Sequence, residues 1–127
     1  MDCGGFMKFA GVCLIAENTK SLYPFYQTLL GEDGHWEGDE HVDFQAAGLC
    51  IFSVQGMESM APGSMAGRGS GKTVLSFDVE NVDGLSEILL PLGATIVKPP
   101  QDHPWGLRSV WLKDPEGNIL SIRCPVR

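Results

Sequence analysis

The side chains of this chain that can do chemistry fall into a few separate groups. His103 lies between Asp102 and Pro104, just ahead of Trp105-Gly106. An imidazole there can serve as a hydrogen-bonding or acid–base group, although a plain surface-loop histidine is the simpler reading. Arg108 and Arg123 can each grip a carboxylate or phosphate, or be occupied by one of the surplus acids. Trp105 and Trp111 can stack on a planar ligand or hold a cation over a ring, a contact worth about 0.5–2 kcal/mol. Core filling is an equal alternative for Trp111. Cys3, Cys13, Cys50 and Cys124 show neither C-x-x-C pairing nor zinc-type spacing. Cys13 and Cys50 are possible reactive thiols, but apolar neighbours usually leave a cysteine inert.

Two further patterns resemble sites and are better explained otherwise. His35 and His41 sit among Glu37, Asp39, Glu40 and Asp43, which read as a solvated acidic hairpin rather than a metal cluster. Residues 66–73, Ala-Gly-Arg-Gly-Ser-Gly-Lys-Thr, satisfy a loose phosphate-loop pattern. That chemistry needs a strand before the loop and a helix after it, so that helix-end amides cradle phosphate. Here a Met/Gly/Ser stretch precedes and a β-patterned segment follows, so nucleotide binding is rejected.

The elements that must position these groups follow from periodicity. Residues 8–16 alternate as a strand, with Val12, Leu14 and Ala16 on one face and Gly11, Cys13 and Ile15 on the other. A helix follows with the apolar stripe Leu22, Phe25, Tyr26, Leu29 and Leu30, ended by Gly31. Pro24 fits without losing a helical hydrogen bond only in the first turn, which favours Ser21 as the cap over Asn18 or Thr19. Short strands are expected at 34–37, 42–45 and 49–54. Residues 55–72, rich in Met, Gly and Ser, read as an irregular connection. A strand at 73–79, a helix at 83–92, and strands near 95–98, 108–113 and 118–124 complete the chain. The last two strands are joined by a turn at Asp114-Pro115-Glu116-Gly117, with Pro in its second position.

The two halves repeat. Residues 12–18 lie over 75–81, Leu30-Gly31 over Leu92-Gly93, and 48–53 over 117–122. Each half reads β-α-β-β-β. The predicted organisation is an extension at 1–7 and one domain at 8–127, with module one at about 8–56, a loop at 57–72 and module two at 73–124.

Composition narrows the function classes. There are 16 Asp+Glu against 9 Lys+Arg, a net charge of −7, which disfavours nucleic-acid phosphates and anionic membrane surfaces. The acidity is compatible with a cationic ligand, although solubility alone explains it. No apolar run approaches the roughly 18–20 residues that span a membrane. The first residues lack the basic-then-apolar order of a secretory signal, so a reduced, cytoplasmic setting is expected.

Phe25-Tyr26, Leu30-Gly31 and Asp114-Pro115-Glu116-Gly117-Asn118, in this order and spacing, resemble the glyoxalase / bleomycin-resistance / extradiol-dioxygenase superfamily, the vicinal oxygen chelate fold. The resemblance covers the chain from about Lys8 to Pro125. It implies an α+β fold in which two βαβββ modules form half-open sheets around a cleft. It also implies that metal ligands, where present, stand at Gly11, Phe52, Val74 and Ser121. None of these four offers a carboxylate or imidazole, so no metal cofactor is expected. A register error of one residue does not restore a donor set.

Alternation then turns Gly11, Cys13, Cys50, Phe52, Val74, Ser76, Ser109, Trp111, Ile119, Ser121 and Arg123 toward the cleft, with Trp105 and Arg108 coming from the segment 104–108 and His103 placed to lean over from the loop before it. The expectation is a metal-free small-molecule binding protein, a homodimer by resemblance, that sequesters an aromatic or cationic compound. Its alternative is a lyase, isomerase or dioxygenase with a non-standard site.

Overall fold

The computed structural model describes residues 9–66 and 73–127. The phosphate-loop-like pattern at 66–73 falls almost wholly outside the described residues, and Cys3 and the whole of the expected extension at 1–7 lie outside them. The described chain runs β1 (Val12–Ala16), α1 (Thr19–Leu30), β2 (His35–Glu37), β3 (His41–Phe44), β4 (Leu49–Ser53), α2 (Val54–Met60), β5 (Val74–Asp78), α3 (Val82–Leu89), a 3-10 turn (Leu90–Leu92), β6 (Thr95–Asp102), β7 (Leu107–Lys113) and β8 (Ile119–Pro125).

Two open, four-stranded mixed sheets result, in the orders β1-β4-β3-β2 and β5-β8-β7-β6. In each module the first strand runs parallel to the last, which in turn pairs antiparallel with the third. The internal repeat predicted from sequence is therefore a structural repeat, and it extends to the helix caps. Asn18 (φ −137, ψ 96) accepts from the Ser21 amide, and Asn81 (φ −139, ψ 97) accepts from the Gly84 amide.

Those caps correct one expectation. Asn18, not Ser21, starts α1, and Ser21 instead donates its hydroxyl to the Asn18 carbonyl. Pro24 thus lies in the second turn of the helix and removes one N–H donor there. Burial of Leu22, Phe25 and Tyr26, each with no exposed surface, outweighs that loss. A second difference lies in the connection. The residues expected to be irregular from 55 onward begin as α2, because the Ser53 side chain accepts from the Gly56 amide and caps a helix there.

One face of each sheet is buried against the helices. Leu14, Ala16, Val42, Phe44, Leu49 and Ile51 from the first sheet, and Val110, Leu112, Leu120 and Ile122 from the second, join α1 and α3 in one core. The modules are tied by polar contacts as well. The buried Tyr26 hydroxyl of α1 donates to Asp114 at 2.7 Å, and the Glu116 carboxylate accepts from the amides of Glu17 and Asn18.

Burial, then the neighbouring Asp114 carboxylate, push the Tyr26 hydroxyl far above its ordinary range near pH 10. The folded state holds this proton more tightly than the unfolded state does. The stabilisation is therefore complete below about pH 10 and declines as pH rises beyond it. Denaturant titrations at pH 8 should show Tyr26→Phe to be less stable by about 1.5–3 kcal/mol. The wild type should lose more stability than the variant between pH 8 and pH 11, and parallel curves would refute this account.

Candidate functional site

Strand alternation in the second module puts Leu120 and Ile122 of β8, and Val110 and Leu112 of β7, in the core. Their neighbours Ser109, Trp111, Ser121 and Arg123 consequently face the other side of the sheet. With Lys98 of β6 and with His103, Trp105 and Leu107, they line a cavity of about 410 Å³. Registry explains the grouping: Trp111 stands opposite Ser121 on β8 and opposite Lys98 on β6, while Ser109 stands opposite Arg123.

Within this cavity His103 and Trp105 stack with centroids 4.5 Å apart and planes 4° from parallel. His103 Nε2 lies 2.8 Å from the Ser109 hydroxyl, which is buried, so the imidazole is fixed on one side by a hydrogen bond and on the other by the indole. Trp105 itself is 70% exposed and reaches out from the loop between β6 and β7. Arg123 donates from Nε to Asp78 at 2.9 Å and is only half exposed. The site can clasp a flat molecule, contact oxygen substituents through Lys98 and Arg123, and hold a proton at the His103–Ser109 pair.

Other expected residues go elsewhere. Arg108 follows strand alternation and points away from Ser109 and Trp111. There it donates to Asp83 from Nε and Nη2 at 2.7 and 2.8 Å, and to Asp102 from Nη1 at 3.0 Å. Hydrogen bonds to these two acids raise the guanidinium above its ordinary range, and the hydrogen bond from Arg108 lowers the Asp83 carboxyl. The hollow that Arg108 does line, about 630 Å³ with Glu80, Asp83 and Asp102, is open and polar. It lacks aromatic walls, and the 410 Å³ cavity is the better small-molecule site. Ser76 stands beside Ser121 in register but is exposed outside the cavity, as is Val74.

In the first module, Cys13 and Cys50 share a separate cavity of about 360 Å³ with Gly11, Asp43 and Gln45. Phe52 is not an open wall there. Its ring meets His41 edge-on at 5.4 Å, and a Cβ placed on Gly56 of α2 would come within 2.4 Å of it. Lys98 and Asp43 are among the lining residues that sequence reasoning missed. Lys98 was expected to end a strand, whereas β6 continues to Asp102 through two register shifts that turn Lys98 toward Trp111.

The four positions that the resemblance implied for metal ligands carry side chains poorly suited to that task. Gly11 has φ +146, and a Cβ built on it would lie 2.3 Å from the Gly48 carbonyl oxygen, so backbone occupies the space a ligand side chain needs. Phe52 and Val74 carry no donor, and Ser121 supplies one hydroxyl. Among the described residues, no group of three or more His, Cys, Asp or Glu side chains is arranged to hold a metal ion. Gly11→Ala is expected to lower stability in thermal or chemical denaturation by about 1–3 kcal/mol, since it must relieve both the backbone contact and a conformation reserved for glycine. An unchanged midpoint would show that the position can take a side chain.

A family model described as Glyoxalase/Bleomycin resistance protein/Dioxygenase superfamily matches residues 8–122. No curated protein sequence matches the chain. Among solved structures, a glyoxalase-related enzyme from Fulvimarina pelagi superposes with a TM-score of 0.80 at 22% identity, covering 93% of this chain and 88% of its own. A glyoxalase/bleomycin resistance protein/dioxygenase family enzyme from Burkholderia phytofirmans PsJN gives 0.79 at 22% identity, covering 92% and 98%. A glyoxalase/bleomycin resistance protein/dioxygenase from Nocardioides gives 0.70 at 23% identity, covering 96% and 86%. Likeness at these identities speaks for the fold.

Proposed function

Because the chain belongs to the glyoxalase/bleomycin resistance protein/dioxygenase superfamily, we propose that it is a small-molecule binding protein that holds a planar, aromatic ligand without a metal ion. The observation that carries this reading is the cavity walled by Trp105, Trp111 and the stacked His103, with polar groups at its edge. Lys98 and Arg123 make that edge positive, with Arg123 partly neutralised by Asp78. This favours a neutral or acidic aromatic compound over the cationic one that the net charge allows. The poor donor set at Gly11, Phe52, Val74 and Ser121 supports binding without a metal.

A second copy of the chain is part of the proposal. The cavities of the two modules share no residue, and Trp105, Val97 and Phe9 are large apolar side chains left more than half exposed. Pairing of two copies would cover such surface and bring a first-module face to a second-module cavity. Native mass measurement should give twice the chain mass.

The His103–Ser109 hydrogen bond favours a second reading, in which the same cavity moves a proton during a lyase, isomerase or dioxygenase reaction. The two readings separate on His103→Gln. A binding protein keeps its ligand with a modest loss, whereas an enzyme keeps the ligand and loses turnover. Stoichiometric zinc, iron, manganese or nickel in protein purified without added metal would overturn the metal-free reading.

Thermal-shift screening with planar aromatic acids, neutral aromatics and planar cations tests the ligand class. The acids and neutral compounds should raise the melting temperature most. Trp105→Ala and Trp111→Ala should each weaken binding about two- to tenfold by loss of stacking. A panel in which no planar compound shifts the melting temperature would sink the proposal.

A further inference from the structure

The first module holds a pair of thiols that plays no part in the cavity just described. Cys13 of β1 and Cys50 of β4 are direct partners in the parallel ladder. Their strand neighbours Leu14, Leu49 and Ile51 are buried in the core, so both thiols project from the opposite face, into the same cavity. Adjacent strands lie about 4.7–4.9 Å apart, inside the Cα separation of about 4.4–6.8 Å that a disulfide spans. Both cysteines are free, Cys13 exposed and Cys50 half-buried, so a small oxidant can reach them. Cys124 offers a contrast. It is buried, and its partner across the ladder is Arg108.

We propose that Cys13 and Cys50 are a redox-responsive dithiol that closes to an intrachain disulfide by exchange with a low-molecular-weight disulfide such as oxidised glutathione. In the first step the Cys50 thiolate attacks one sulfur of the glutathione disulfide. A Cys50–glutathione mixed disulfide forms, and one glutathione thiolate leaves. Cys13 then loses its proton and attacks the Cys50 sulfur. The Cys13–Cys50 bond forms and the second glutathione leaves as a thiolate. Two electrons pass from the protein to the reagent, and the two protons given up by the protein thiols end on two glutathione thiols.

The order of attack follows from the neighbours of Cys13. Desolvation in the cavity wall, although the residue as a whole is exposed, comes first, followed by the hydrogen bond to Cys50 and the Asp43 carboxylate. Together they push the Cys13 thiol up to about 12. These neighbours hold the Cys13 proton more tightly than in a free thiol, which makes Cys13 the poorer opening nucleophile and assigns the first attack to Cys50. Once Cys50 is capped by glutathione, its share in holding the proton on Cys13 is removed, while desolvation and Asp43 remain and make closure the slower step. An exposed disulfide of this kind belongs with the labile, readily reduced class, so reductant should reopen it.

The full chain with Cys3→Ser, which removes the one cysteine outside the described residues, is incubated with excess oxidised glutathione. It is then alkylated with N-ethylmaleimide, and intact mass and a non-reducing peptide map are recorded. The expected product has lost two alkylatable thiols, carries no glutathione and yields a peptide linking Cys13 to Cys50. Dithiothreitol should restore both thiols. Cys13→Ser in the same background should stop as a single glutathione adduct on Cys50. The map of the Cys3→Ser protein decides the matter even if the Cys13 variant folds poorly. Persistence of both thiols, accumulation of the adduct without closure, a link through Cys124, or a bond between two copies of the chain would each overturn the proposal.

Discussion

The buried hydrogen bond from Tyr26 to Asp114 is the contact on which the rest of the molecule depends. Asp114 also accepts from the amides of Glu116 and Asn118 and from the Asn118 side chain, so four donors converge on one buried carboxylate. Three of them shape the turn between β7 and β8, and the fourth ties that turn to α1 of the other module. Placing a charge in the interior is costly unless its lone pairs are satisfied, and here they are. The turn in turn sets the register of β8, the strand that carries Ser121 and Arg123 to the cavity.

Duplication provides the frame around that contact. Both modules cap the first helix with an asparagine of nearly identical backbone angles, and both close with a parallel pairing of first and last strands. A left-handed glycine ends α1 directly in the first module and ends the 3-10 turn after α3 in the second. The symmetry stops at the open faces. The first carries two thiols, and its far end is filled by Phe52, His41 and the helix α2. The second carries the tryptophans, His103 and the basic edge. One frame thus presents two different chemistries, as expected when function resides in side chains grafted onto a shared fold.

Much of this was legible in the sequence because it rests on local rules. Period-2 alternation identified the core faces of β1, β4, β5, β7 and β8, and glycine after leucine marked the end of α1 and of the 3-10 turn that follows α3. The proline-containing turn announced the last hairpin. Correct placement of Ser109, Trp111 and Ser121 on one face followed from alternation alone. Arg108 was misjudged because it was grouped with the Trp105 segment on the cleft side, although it already opened the strand expected at 108–113, where alternation with Ser109 turns it toward Asp83 and Asp102. The caps were a closer contest. Asn18 and Ser21 are both good capping residues, and the exposed Pro24 is tolerated inside α1 because the helix's buried face supplies the stability.

By itself the sequence determined the α+β class and the repeated module, since each depends on residue identity and short-range periodicity. The tertiary structure alone decided which distant side chains meet. Cys13 and Cys50 become neighbours only through a parallel pairing that no local pattern specifies. Lys98 reaches Trp111 only through shifts in β6, and His103 gains both Trp105 and Ser109 only when the loop closes over the sheet. Such contacts depend on register between separate strands, which is fixed by the packing of the whole core and is not encoded in any single segment.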